Sequence, residues 1–136
     1  MPHTNASFLY FDDDIRSVEV LEIILKKIMG FSNFDYFLDS EDYPQKINEL
    51  TKRPDIVFLD IHIPPHNGYE VLQWFQNNPA YSFSKVVALT ASVMVQDVTR
   101  LQEAGFDGLI GKPLSHKTFP RLLEQILSGE DIWYIP

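Results

Sequence analysis

The sequence predicts an α/β fold built on a parallel five-stranded sheet. Short apolar runs alternate five times with segments of helical period along 136 residues. The runs Ile56–Leu59 and Val86–Leu89 have no polar face, which suits strands covered by helices on both sides. Each run is followed by a helix, so the chain is a series of βαβ units with right-handed crossovers. The length is that of one domain with a real core.

The first strand is Phe8–Phe11, stopped by three aspartates, Asp12 to Asp14. Val18, Leu21, Leu25 and Ile28 then recur at spacings of three and four, one face of a helix. Gly30 stands where its C-cap belongs. Phe34–Leu38 reads as the second strand and Asp42–Leu50 as a helix with Pro44 in its first turn. After Ile56–Leu59, the breakers Pro64, Pro65, Asn67 and Gly68 precede a helix over Tyr69–Gln76. Val86–Leu89 is the fourth strand, and Val93–Ala104 is a helix closed by Gly105. Gly108–Ile110 is the fifth strand, and Phe119, Leu122, Leu123 and Ile126 mark the last helix. The tail from Gly129 carries Ile132, Trp133 and Tyr134 with no element after them. Docking on the body and docking on a partner are equally open for it.

Composition removes several function classes. A net charge of −8 leaves no basic surplus for a phosphate backbone, so no nucleic-acid partner is expected. With no cysteine, thiolate metal sites, thiol nucleophiles and disulfide scaffolds are excluded. The longest apolar stretch, from Val86, is broken by Thr90 and Ser92, short of the roughly twenty residues of a membrane span. The N-terminus has neither the basic region nor the apolar core of a signal peptide, so a cytoplasmic protein with no membrane partner is expected.

In open α/β sheets, ligands gather beyond the carboxyl ends of the strands. Those ends present Asp12, Asp13 and Asp14, then Asp60, Thr90 and Lys112. Singly, each has a plain explanation: the aspartates as helix caps, Asp60 as a turn residue, Thr90 as a cap, Lys112 as a solvated cation. Together on one rim they are harder to dismiss. Two carboxylates about 5 Å apart repel by roughly 3 kcal/mol at an effective dielectric near 20. Oxygen-only donors that need a counter-charge favour a hard cation such as Mg²⁺. His62 and His66 are spaced as a helical pair, but Pro64 and Pro65 between them deny the helix, so their imidazoles are not expected to bind metal. A divalent cation, a carboxylate, a hydroxyl and a lysine describe a site for a phosphoryl group.

These residues carry a resemblance. Phe8–Phe11 running into Asp12-Asp13, the stretch from Asp55 to Glu70, Ala88-Leu89-Thr90-Ala91, and Gly105 to Pro113 with its Lys112-Pro113 together resemble the receiver domain of a two-component response regulator. The resemblance covers nearly the whole chain. It implies a flavodoxin-like three-layer (βα)5 sandwich with strand order 2-1-3-4-5. It divides the chain into an N-terminal extension (1–6), a receiver domain (7–128) and a C-terminal tail (129–136).

The resemblance also implies roles. Asp60 is the phosphoacceptor, supplied by a histidine kinase or histidine phosphotransfer protein. Asp13, Asp60 and the His62 backbone carbonyl hold Mg²⁺, with Asp12 helping through water. Thr90 bonds a phosphoryl oxygen, Lys112 pairs with the phosphate, and the Lys112-Pro113 bond is cis. Output passes to an unnamed downstream protein, and a homodimer stays open.

Four departures bear on output and phosphoryl lifetime rather than on acceptance. Leu109 stands where many relatives have Tyr or Phe. Ile63, His66 and Asn67 differ from the commonest loop residues. His62 and Ser92 occupy the two positions that tune lifetime in the family. Two other readings remain: a non-phosphorylated interaction module on the same fold, and a small Mg²⁺-dependent phosphohydrolase suggested by Asp12-x-Asp14. The second of these is disfavoured by Arg16 and by the short chain. A flavodoxin is disfavoured by the acidic loop after the first strand.

Overall fold

A computed structural model describes residues 5–136. Residues 1–4 of the expected extension lie outside the described residues. The strands are β1 (Ser7–Phe11), β2 (Asn33–Phe37), β3 (Ile56–Leu59), β4 (His62–Ile63), β5 (His66–Asn67), β6 (Lys85–Thr90), β7 (Gly108–Gly111) and β8 (Trp133–Tyr134). The helices are α1 (Ile15–Ile23), α2 (Tyr43–Asn48), α3 (Gly68–Gln76), α4 (Val95–Ala104) and α5 (Thr118–Leu127). The main sheet has the order β2-β1-β3-β6-β7-β8, and every pairing within it is parallel. Its first five strands have the expected order. The sixth, β8, comes from the segment that the sequence left undecided, and it docks on the body.

Alternation along the strands builds two cores. Phe8 and Tyr10 of β1 face one side, with Val18 and Leu21 of α1, Leu25 just after it, and Phe119 and Leu123 of α5. Leu9 and Phe11 face the other, with Ile47 of α2, Val71 and Phe75 of α3 and Leu101 of α4. All five residues of β1 and all four of β3 are buried, as strands sandwiched between helix layers must be. Phe58 fills the middle of the first core against the rings of Phe8, Tyr10 and Phe119.

Local chemistry moves some boundaries. The helix expected from Val93 starts at Val95, because the Asp97 carboxylate reaches back to accept from Met94 N–H at 3.0 Å and fixes Met94 as the cap. α1 runs on through a π-helical turn, Ile24–Ile28, in which Met29 N–H reaches Ile24 O at 2.9 Å. Gly30 then ends it at φ +81°, as expected of that position. Asp42 sits at φ +49° and makes no capping bond, so the second helix begins at Tyr43.

The prolines after Asp60 lie in a two-stranded hairpin, β4–β5, with Ile63 opposite His66. Buried Ser40 accepts from His66 N–H at 2.7 Å and donates to Ile63 O, which ties the loop after β2 to this hairpin. The Lys112-Pro113 peptide is cis, as expected, and so is Pro64-Pro65. Because Phe11 is in register with Leu59, Leu59 with Ala88, and Thr90 with Gly111, the next residues along each chain share one rim.

Candidate functional site

That rim brings Asp12, Asp60 and Lys112 into contact. Lys112 Nζ donates to Asp60 Oδ2 at 2.9 Å and also to Asp12 Oδ2. The side chains of Asp12, Asp60 and Lys112 are only 1%, 14% and 18% exposed, so the triad is nearly dry and its charges interact strongly. Each carboxylate has further donors. Asp14 N–H donates to Asp12 Oδ1 at 2.9 Å, and Ile61 N–H to Asp60 Oδ1 at 2.6 Å.

The three consecutive aspartates divide into three jobs. Asp14 is the helix cap of the plain reading, accepting from Arg16 N–H at 2.9 Å, and this bond holds its carboxyl below the usual range. Asp12 is fully buried and bound to Lys112. Asp13 is exposed at the rim. Thr90 is buried, with Oγ1 accepting from Ser92 N–H at 3.1 Å, and its carbonyl accepts from Lys112 N–H at 2.9 Å. His62 opens the hairpin two residues beyond Asp60. His66 Nδ1 lies 3.0 Å from Glu70 Oε2.

One residue of the site escaped the sequence reading. Tyr10 is fully buried, and its hydroxyl donates to Asp12 Oδ2. The signal was there: Asp12 follows β1 directly, two residues after Tyr10, so extended chain puts both on one face, and a buried phenol needs an acceptor. Burial first, then the facing Asp12 carboxylate, pushes the phenol far above its ordinary value, so it stays a donor.

For Lys112, burial alone would lower the pKa, but the bonds and charges of Asp12 and Asp60 outweigh it and hold the ammonium above its usual value. The stability this pairing adds is complete below the ordinary lysine value and is lost as pH rises through the higher folded value. Tyr10 acts in the same direction. The urea midpoint is therefore expected to fall steeply above about pH 10. A flat profile up to pH 12 would show that the pairing contributes nothing.

Among the described residues, no three acidic or histidine side chains converge on one point. Two carboxylates, those of Asp12 and Asp60, bond one ammonium, and Asp13 follows Asp12 in the chain, exposed. Their donors are all oxygen and one of them is exposed, so the set suits a cation that keeps several waters. Beside the triad, a cavity of about 350 Å³ opens between α1 and the turn after β7, lined in part by Arg16, Val20, Lys112 and Pro113.

The family profile described as the response regulator receiver domain matches residues 8–125. This chain belongs to that family. Receiver domains serve two-component phosphorelay signalling, and in general they bind Mg²⁺ at the phosphorylation site. Among curated relatives, the receiver is 30% identical over 115 residues to stress response regulator protein 1 of Candida tropicalis, covering 83% of this chain and 42% of that protein. It is 36% identical over 76 residues to the polar-differentiation response regulator DivK of Brucella anthropi, covering 56% of this chain and 59% of that one. The receiver thus spans from 30% to 59% of the first relatives' lengths. Among solved structures, a receiver domain from Colwellia psychrerythraea superposes with a TM-score of 0.79 at 21% identity, covering 91% of this chain and 99% of that one. The receiver domain of a histidine kinase from Syntrophus aciditrophicus superposes at 0.77 with 25% identity, covering 91% of each. Within the described receiver, no helix is long and apolar enough to cross a membrane.

Proposed function

We propose that residues 7–128 form a phosphoacceptor in which Asp60 takes a phosphoryl group from a histidine kinase or histidine phosphotransfer protein. The observation that carries this reading is Lys112 Nζ bridging the carboxylates of Asp12 and Asp60 at adjoining strand ends. An Asp60 oxygen attacks phosphorus, the donor's P–N bond breaks, and its electron pair leaves with the imidazole nitrogen, which takes up a proton. Lys112 shifts from carboxylate to phosphoryl oxygen and answers the added charge. Thr90 donates to a second oxygen.

Asp13, Asp60 and the His62 carbonyl would hold Mg²⁺, with Asp12 assisting. When bound, the cation neutralises charge on the transferring oxygens. Asp12 already bonds Tyr10, Lys112 and Asp14 N–H, which supports an indirect role for it. The cavity beside Arg16 and Pro113 gives the donor an approach. The group is later lost to water, which restores Asp60; on this reading the chain is a cytoplasmic switch that promotes its own phosphorylation and dephosphorylation, and not a turnover enzyme on a free substrate. Exposed Met94 and Val95 at the start of α4 belong to the surface read by a downstream protein.

Incubation with Mg²⁺ and phosphoramidate is expected to add one phosphoryl group by intact mass, and none once Mg²⁺ is chelated. Failure to gain mass, with no beryllofluoride binding, returns the chain to the class of non-phosphorylated interaction modules. Sustained phosphate release from a free ester would instead make it an enzyme.

A second expectation concerns stability. Millimolar Mg²⁺ is expected to raise the melting temperature, by about 2.7 kcal/mol of added stability at a hundredfold excess over Kd. Asp13→Asn should blunt that rise. A melting temperature indifferent to Mg²⁺ rules out the metal site as assigned.

A further inference from the structure

The outer edge of β7 is covered by segment 131–136, and that segment touches the phosphoacceptor end of the sheet. Leu109 pairs with Trp133 and Ile110 with Tyr134. Leu109 N–H donates to Ile132 O at 2.7 Å. β7 begins and ends in glycine, and both glycines admit the segment. A Cβ on Gly108 would lie 2.6 Å from Ile132 O. One on Gly111 would lie 2.8 Å from Pro136 Cδ and 3.1 Å from Val93 Cγ1. Val93, Gly111 and Pro136 therefore meet at one point.

That point adjoins two site residues. Gly111 precedes Lys112, and Val93 lies in the loop between Thr90 and α4. Trp133 packs on the same core as Leu109, Val93 and Val98, whereas Ile132 and Tyr134 pack on the opposite one. The hold is modest. Only two residues pair as strand, residues 132–134 are half-buried, and the Lys85–Asp131 ion pair at 3.6 Å is too exposed to contribute much.

We propose that the outer edge of β7 is a strand-binding surface whose resting occupant is this chain's own segment 131–136, and that its occupancy is coupled to Asp60 through Val93 and Gly111. This rests on reading Asp60 as the phosphoacceptor. Thr90 Oγ1 now accepts from Ser92 N–H. A swing of that hydroxyl toward an oxygen carried on Asp60 breaks the bond and takes the 91–94 loop with it. Val93 then withdraws from the core it shares with Trp133, and the segment loosens. Coupling is reciprocal: a docked segment holds the loop in its resting place and opposes the activated arrangement.

The test is hydrogen–deuterium exchange on the full wild-type chain with Mg²⁺, with and without beryllofluoride, whose binding is measured separately by calorimetry. Beryllofluoride is expected to speed exchange about fivefold or more at Leu109 and across 131–136, while α3 is unchanged. In the reverse direction, Trp133→Ala is expected to bind beryllofluoride about fivefold more tightly. Trp133→Phe should fall between the two, and it serves if the alanine variant does not fold. Tight beryllofluoride binding with unchanged or slowed exchange in 131–136 overturns the coupling and leaves the phosphoacceptor reading standing. No binding at all overturns both.

Discussion

Asp60→Asn is expected to take up no phosphoryl group from phosphoramidate under conditions that modify the wild type fully, while its folding stability stays within about 1 kcal/mol. The two halves of this result have different causes. An amide oxygen is no nucleophile toward phosphorus, and the substitution removes one of the three acidic donors proposed for Mg²⁺, so acceptance is expected to be lost outright. Stability is largely spared because the amide carbonyl can keep the bond from Ile61 N–H, and Lys112, which loses its acceptor on residue 60, keeps its bond to Asp12. Intact mass and urea denaturation on one preparation check both halves. Residual modification of the variant would place the acceptor elsewhere, with exposed Asp13 the first carboxylate to substitute next.

Lys112→Ala is expected to do the opposite to stability. Removing the ammonium strands two nearly dry carboxylates, and breaking a buried pair by deleting one partner costs about 3–5 kcal/mol. Asp12 keeps Tyr10 and Asp14 N–H, and Asp60 keeps Ile61 N–H, which places the loss toward the lower end of that range. Mg²⁺ should recover part of it, since a cation and the lysine answer the same negative charge. Urea titrations with and without Mg²⁺ measure this. A loss under about 1 kcal/mol without Mg²⁺ would show that water already screens the triad.

Most of the fold was legible because the parallel strands are short, wholly apolar and separated by helical periods with glycine stops. The candidate site was legible for a related reason: parallel strands all end on one rim, so the polar residues closing the runs are brought together by position. What escaped depends on contacts between distant segments. Trp133 and Tyr134 form a strand only because Gly108 and Gly111 let a backbone come close, and two residues carry no period to detect. Tyr10 looked like one more apolar residue of β1 until its hydroxyl was seen on Asp12. Val93 and Met94 continue a helical pattern that the Asp97 carboxylate cuts short.

The sixth strand also sets how this molecule behaves when crowded. A parallel sheet has two open flanks, and each could template pairing between molecules. One flank, β2, carries the exposed charge of Asp35 at its centre. The other would be Gly-Leu-Ile-Gly, an uncharged edge with its backbone groups open to pairing. Segment 131–136 replaces it with two residues followed closely by Pro136, which has no amide hydrogen to offer a newcomer. A preparation lacking that segment is therefore expected to self-associate at concentrations where the full chain stays dispersed.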